Sequence, residues 1–457
     1  MLDQSGSLLD RRKLLKGLTL LGATGVAASF ARPSAAAEAG THADVLVLGA
    51  GIAGLGAARA LAAAGRSAIV LEARDRIGGR MWTDRDAMGI PVERGAELIH
   101  GSTVSTWEFV RRGGIPTAPF AVELGRRDAA SPWVDQQTWE FDAFPLRRPD
   151  LQPDRLPAPR PAESAEAYLK RVGVGPDNRP LSLLVLETDD EQFPKMAAES
   201  VIEPLREALT APPTGRKPES PDAAFHIGGG YDQIVRMVAE GLDIRTGHVV
   251  TEVRRTSSGV EVATTRGGFS ARKLVIALPA GVLQQETIAF DPGLAAEVRK
   301  RTGDVAYLPV FKGLLEFDRP VLPKQWDLAE TYDQRPPSLW SASSLAPGYA
   351  GQVVVAWATG DQARALLAAP EPERMAAALD TVRVTVGDRS VEPVRTLTYD
   401  WDKDPFSMGA YPGFESGPDD IYAPLDDTVF WAGMVTSTVS SSLDTGRDAA
   451  AGALRTF

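Results

Sequence analysis

The sequence contains no cysteine, which excludes disulfides and cysteine-ligated metal centres. Its four histidines, His42, His100, His226 and His248, are too widely spaced to suggest a transition-metal cluster, so no metal site is expected. An excess of positive charge is also missing. With 49 Lys and Arg against 60 Asp and Glu, the net charge of −11 repels nucleic acid and attracts small cations. No apolar run reaches the ~20 strongly apolar residues of a membrane span, and no internal repeat is evident. What the chain does have is length and glycine: 457 residues exceed one compact core and imply two domains.

The first 37 residues read as an address. Asp10-Arg11-Arg12-Lys13-Leu14-Leu15-Lys16 precedes a mildly apolar run, Gly17 to Ala31, and then the small residues Ser34-Ala35-Ala36-Ala37. This resembles a bacterial twin-arginine signal peptide, a route that carries folded, cofactor-loaded proteins. The expectation is a periplasmic or secreted protein starting near Glu38, without a stable membrane anchor. A basic tail with no targeting role is the alternative.

The most informative stretch is Val45-Leu46-Val47-Leu48-Gly49-Ala50-Gly51-Ile52-Ala53-Gly54. An apolar strand ending in Gly-x-Gly-x-x-Gly permits a tight turn, lets a pyrophosphate approach a helix N-terminus, and packs that helix closely on the strand. An alanine-rich helix, a second apolar strand from Ser67 to Leu71 and then Glu72 follow, placing a carboxylate where a ribose hydroxyl could donate to it. The chain continues Ala73-Arg74-Asp75-Arg76-Ile77-Gly78-Gly79-Arg80. Two adjacent glycines beside an arginine can wrap a second loop around the phosphates of a long dinucleotide; a surface turn with a solvated arginine is the alternative.

Gly49 to Arg80 resembles the N-terminal signature of the flavin-containing amine oxidases, a family that includes monoamine and polyamine oxidases. The resemblance implies FAD, contacted by Gly49, Gly51, Ile52, Ala53, Gly54, Glu72, Ala73, Arg74, Gly79 and Arg80. Without cysteine, the thioether by which some members hold their flavin is excluded. The loop Arg94-Gly95-Ala96-Glu97-Leu98-Ile99-His100-Gly101 is similar to the family loop along the flavin, which implies cofactor contacts from Gly95, Ala96 and Glu97. His100 then faces the substrate, or is an ordinary loop histidine. Leu98 stands where amino-acid oxidases tend to carry a carboxylate-binding arginine, which argues against α-amino acid substrates.

Later segments extend the likeness. Gly228-Gly229-Gly230-Tyr231 opens a helix to Gly241, Val249 to Val253 alternates as a strand, and Val250 is the implied backbone contact to the cofactor. A meander (Gly259 to Thr264, then Phe269) leads to Lys273 to Pro279, a near-continuous apolar strand suited to burial on both faces. Lys312, within Leu308 to Pro320, matches the family lysine that holds a water near flavin N5, where a cation could stabilise charge during reoxidation. A lysine snorkelling from a strand is the alternative. Tyr411 matches one aromatic wall of the substrate cage, or is a core tyrosine. Asp427 to Gly433 resembles the strand closing the flavin site, implying cofactor contacts at Gly433, Met434, Ser442 and Leu443. There the chain departs from the family: Met434 replaces the usual glutamate, the loop bearing a second cage aromatic is shortened to Val439-Ser440-Ser441-Ser442, and a helix starts near Leu443.

The implied fold is α/β, with a Rossmann-like FAD-binding domain of the glutathione-reductase type interleaved with an α+β substrate domain. The FAD domain is expected at 43–101, 222–287 and 395–457, and the substrate domain at 102–221 and 288–394. The latter includes Trp133, Trp139, proline-rich stretches at 145–161 and 212–221, and an acidic cluster, Glu187, Asp189, Asp190 and Glu191, which reads as a solvated face. The implied activity is oxidation of a polyamine or other secondary or primary amine to an imine, with hydride transfer to flavin N5 and oxygen leaving as hydrogen peroxide. The partners are thus a small-molecule amine and molecular oxygen, with a homodimer left open. A related desaturase or dehydrogenase acting on an apolar substrate, and a flavin-binding protein without turnover, are the alternatives.

Overall fold

The computed structural model describes residues 41–126, 128–135, 152–173, 197–202, 205–206, 223–323, 326–331, 333–412 and 420–457. The leader at 1–37, Trp139, the acidic cluster at 187–191 and most of the two proline-rich stretches lie outside the described residues.

His42–Leu48 is a central strand because its side chains have two interiors to enter. Val45 and Val47 join one apolar cluster, Leu46 and Leu48 another, and all four are fully buried. Such two-sided burial belongs to a parallel sheet covered on both faces. His42–Leu48 pairs in parallel with Ala68–Leu71 on one side and Gly267–Ile276 on the other, and Asp243–Arg245 extends the sheet beyond Ala68–Leu71. Gly259–Thr264, Val250–Thr256 and Ala289–Phe290 continue the opposite edge, and Val429–Trp431 runs parallel to the end of Gly267–Ile276.

Gly267–Ile276 is one strand of ten residues that takes in Phe269 and the apolar run as far as Ile276. Its first half alternates because it pairs with the half-exposed Gly259–Thr264. Its last three residues, Leu274, Val275 and Ile276, are apolar and fully buried because they enter the covered parallel region beside Val429–Trp431.

Helices Ile52–Ala63 and Val439–Leu454 cross one face of this sheet at unusually close range. A Cβ at Gly446 would lie 2.0 Å from the Ala53 carbonyl oxygen, so only glycine permits the approach. Gly446→Val is expected to destabilise the protein by several kcal/mol, beyond the ~1–3 kcal/mol of ordinary overpacking, because backbone rather than a side chain must move. Thermal unfolding of the purified variant checks this, and a Tm within a degree or two of the parent would contradict it.

The second large sheet runs in the order Arg395–Thr398, Val310–Phe317, Gln352–Thr359, Ser338–Ser341, Leu328–Thr331, Glu123–Arg126, Val134–Asp135. Val310–Phe317 is buried along its whole length. Phe311, Leu315 and Phe317 pack into the cluster that contains Met375, Ala378 and Val382 of helix Glu371–Val386, so period-two alternation sends Lys312 to the opposite face. A small antiparallel sheet, Leu98–His100 with Ala224–Ile227 and Thr117–Phe120, carries the His100 loop. The whole is an α/β fold in which a mainly parallel sheet accompanies an antiparallel-rich second sheet.

Candidate active site

A single cavity of about 560 Å³ runs from the glycine turn after His42–Leu48 to the Lys312 face of the second sheet. Gly49 turns with φ +96°, a conformation that L side chains resist, and a Cβ there would also sit 2.7 Å from the Ala277 carbonyl oxygen. Gly51 caps helix Ile52–Ala63 without any side-chain hydrogen bond, and a Cβ added to it would meet nothing within 4 Å. The first amides of this helix therefore face open space, as a pyrophosphate requires. Glu72, only 4% exposed, accepts from the Ala50 amide at 2.8 Å and the Arg74 amide at 2.9 Å. Its oxygens brace the turn and each keeps a lone pair for a ribose hydroxyl. The residues present fit an extended dinucleotide.

Of the residues singled out in the sequence, Gly49, Gly51, Ile52, Ala53, Glu72, Ala73, Arg74, Gly79, Arg80, Gly95, Ala96, Glu97, Val250, Gly433 and Ser442 line this cavity, and so do Lys312, His100 and Tyr411. Three do not. Gly54 lies behind the turn, where a Cβ would sit 2.0 Å from the Gly49 carbonyl oxygen, so it serves packing. Met434 is fully buried in the core beneath the sheet, with its carbonyl accepting from the Tyr307 hydroxyl. Leu443 is fully buried against Gly56 between the two close helices.

The segment before Leu443 also differs from expectation. The helix begins at Val439, so Ser440, Ser441 and Ser442 form its first turn rather than a shortened loop. Thr438 and Ser441 make a capping box, each side chain accepting from the other's amide, which is the local signal that fixes the start. Thr436, Ser437, Thr438 and Val439 reach the cavity in place of the second cage aromatic.

The loop Arg94 to Glu97 is pinned along its length. The Arg94 amide donates to Trp82 O, the Trp401 indole donates to Arg94 O at 3.0 Å, the Ala96 amide donates to Arg80 O, and the Lys312 ammonium donates to Gly95 O at 3.1 Å. Trp82 and Trp401 meet edge to face, and the Arg94 guanidinium lies 4.5 Å from the Trp82 ring centre. Lys312 is 8% exposed and its Nζ stands 2.6 Å from Glu97 Oε2. It is thus a paired, inward-facing cation and not a snorkelling one.

Behind this pair Glu93 is buried. Burial pushes its carboxyl up to about 7, against hydrogen bonds from the Tyr231 amide and the Thr83 hydroxyl and the attraction of Lys312, with Glu97 pushing it further up. The folded value lies above the ordinary 4.5, so the folded state favours the neutral acid. That contribution to stability is fully present below about pH 4.5 and is lost as pH rises through about 7. Glu93→Gln, which imitates the neutral form, should flatten the fall in Tm between about pH 5 and about pH 8. An unchanged slope would contradict the assignment.

Sequence reasoning missed several lining residues: Phe120, Glu123, Glu330, Ser338, Trp340 and Trp357. Trp357 is directly opposite Lys312, Ser338 opposite Trp357, and Glu330 opposite Ser338, so these four form one row across four neighbouring strands. Glu330 is 3% exposed and accepts from the Ser338 hydroxyl at 2.6 Å. A tryptophan and an acid inside otherwise apolar strands were the available signals. Among the described residues no group of potential ligands could hold a metal ion, and no helix is long and apolar enough to cross a membrane.

A dinucleotide cradle that opens onto an aromatic chamber holding a paired lysine defines an FAD-dependent oxidoreductase. Residues 52–454 match the profile described as flavin containing amine oxidoreductase, and the chain belongs to that family. It is similar to polyamine oxidase 2 of Arabidopsis thaliana, with 28% identity over 86% of this chain and 84% of that one. It is also similar to human lysine-specific histone demethylase 2, with 26% identity over 86% of this chain but only 50% of the demethylase. Among solved structures, putrescine oxidase bound to putrescine superposes with a TM-score of 0.72 at 19% identity, covering 91% of this chain and 99% of that one. Cyclohexylamine oxidase from Brevibacterium oxydans gives 0.71 at 19% identity, covering 90% and 99%. The two structures share the fold.

Proposed function

We propose that the protein oxidises a polyamine or a related amine carrying a second positive charge, producing an imine and hydrogen peroxide. The row from Lys312 through Trp357 and Ser338 to Glu330 carries this reading. Three strand spacings of ~4.8 Å separate the ends by roughly 14 Å along the cavity wall, enough for an extended amine chain with its reacting carbon near the lysine end. At the far end, Glu330 offers a buried carboxylate to the distal ammonium, where a charge-assisted hydrogen bond is strong. Trp340 and Trp357, with ring centres 6.2 Å apart, supply apolar and π surface between the ends.

Bound FAD supplies the redox chemistry, taking a hydride equivalent from the amine's α-carbon and returning the electrons to oxygen. The chain's own residues position and polarise. Gly51, Glu72 and the uncapped helix N-terminus hold the dinucleotide, and Lys312 presents a cation to the reacting end. Tyr411 orients the amine, and the imidazole of His100, which lines the cavity, accepts the proton that the ammonium must lose before oxidation. The partners are the amine and molecular oxygen, in a protein that is exported through the signal at 1–37. Fractionation of the native host tests export, and an uncleaved cytoplasmic chain would refute it.

Oxygen uptake and peroxide release, measured across monoamines, diamines and polyamines, test the activity. Substrates with a second charge should rank first, with one peroxide formed per oxygen consumed. Turnover with a dye and no peroxide would replace the oxidase reading by a dehydrogenase one.

A further inference from the structure

Lys312 does not meet the cavity as an isolated cation. Glu97, on the pinned loop, holds Oε2 at 2.6 Å from the lysine Nζ, and the Trp340 indole donates to the other carboxylate oxygen at 3.0 Å. With Gly95 O accepting from the ammonium at 3.1 Å, neither partner is free to swing away. The side chains are 9% and 11% exposed, so solvent screens the pair little. A cation and an anion this close act outward as a dipole, whose field on a neighbouring group is much weaker than that of a lone cation.

We propose that Glu97 is a positioning residue that sets the charge Lys312 presents to the flavin, so that the pair, and not the lysine alone, tunes flavin potential and oxygen reactivity. This rests on the reading of Lys312 as the cation beside the cofactor. The pairing has a direct consequence: Glu97 weakens the field available to stabilise negative charge on reduced flavin or on oxygen. Glu93 faces the same pair from behind and interacts electrostatically with both members. The other charged groups on this part of the cavity wall are Arg80, Arg94, His100, Glu123 and Glu330.

The test compares holoprotein of the wild type with Glu97→Gln, Lys312→Met and the double variant. Flavin is reduced photochemically, so no amine takes part. Midpoint potential and the rate of reoxidation by oxygen are recorded from about pH 6 to about pH 10. Glu97→Gln should raise the potential and speed reoxidation about three- to tenfold at neutral pH. In the Lys312→Met background the Gln change removes only the stranded anion, so its effects on potential and reoxidation should differ from those seen with the lysine present. Glu97→Asp, which keeps the charge but lengthens the pair, should shift both readouts the same way by less, and it carries the test if the Gln variant does not retain flavin. An unaltered potential and reoxidation rate in Glu97→Gln or, where that variant fails, in Glu97→Asp would overturn the proposal. So would equal shifts with and without the lysine. Failure of every amine as substrate would sink the proposed function while leaving this outcome readable.

Discussion

Lys312→Met is expected to slow reoxidation of the reduced flavin by ~100- to ~1,000-fold, the range seen when one charge-stabilising donor is removed from a preorganised site. Methionine keeps the length and apolar stem of the side chain but carries no charge, so the packing of Val310–Phe317 is retained. Flavin reduction by amine should change far less, because the proposed role of Lys312 is to stabilise negative charge that develops as electrons leave for oxygen. Stopped-flow measurement of the two half-reactions separates these effects. The substitution also strands the Glu97 carboxylate, which then keeps the hydrogen bond from the Trp340 indole, and part of the loss will reflect an uncompensated buried anion. The double variant with Glu97→Gln removes that second contribution. Reoxidation at the parental rate in both variants would remove Lys312 from the mechanism.

The second large effect is expected at Glu330. Replacing it with glutamine keeps the hydrogen bond from Ser338 and deletes the charge. Losing one partner of a buried charged contact costs about 2–5 kcal/mol, which at ~1.4 kcal/mol per decade lowers kcat/KM for a polyamine by roughly 30-fold or more. A monoamine of similar bulk, with no distal charge to lose, should be oxidised about as well as by the wild type. Equal losses for both classes would mean that Glu330 shapes the cavity without reading charge, and the polyamine assignment would fall with it.

How much of this was legible in the sequence depends on range. The cofactor cradle is local: Gly49, Gly51 and Glu72 act through a backbone turn, a helix terminus and two amides, all within one βαβ unit, so residue type and spacing carry the geometry. Lys312 was legible as well, because a lysine inside a strand of apolar residues demands a partner. The partner itself was not. Glu97 lies 215 positions earlier, and only the registration of a loop against a strand brings the two together. The same holds for Glu330, Ser338 and Trp357, whose row is set by the pairing of four strands and not by any local pattern. Arg395–Thr398 joins the second sheet through backbone pairing with Val310–Phe317, which its alternating polar sequence does not announce. At Thr438 the error was one of local chemistry. The threonine and serine three residues apart form a capping box, and a serine-rich stretch read as a loop is a helical first turn. Met434 and Leu443 were placed at the cofactor by likeness to the family, whereas their apolar side chains go to the core.

The central claim is that one cavity holds the flavin at its glycine end and an amine at its Lys312 end. Anaerobic addition of a polyamine to the purified yellow protein, read by visible absorbance, tests it most directly. The account predicts bleaching within the first turnover and return of the colour when air is admitted. Protein that takes up no FAD, or bound flavin that dithionite bleaches but every amine leaves unchanged, would contradict it.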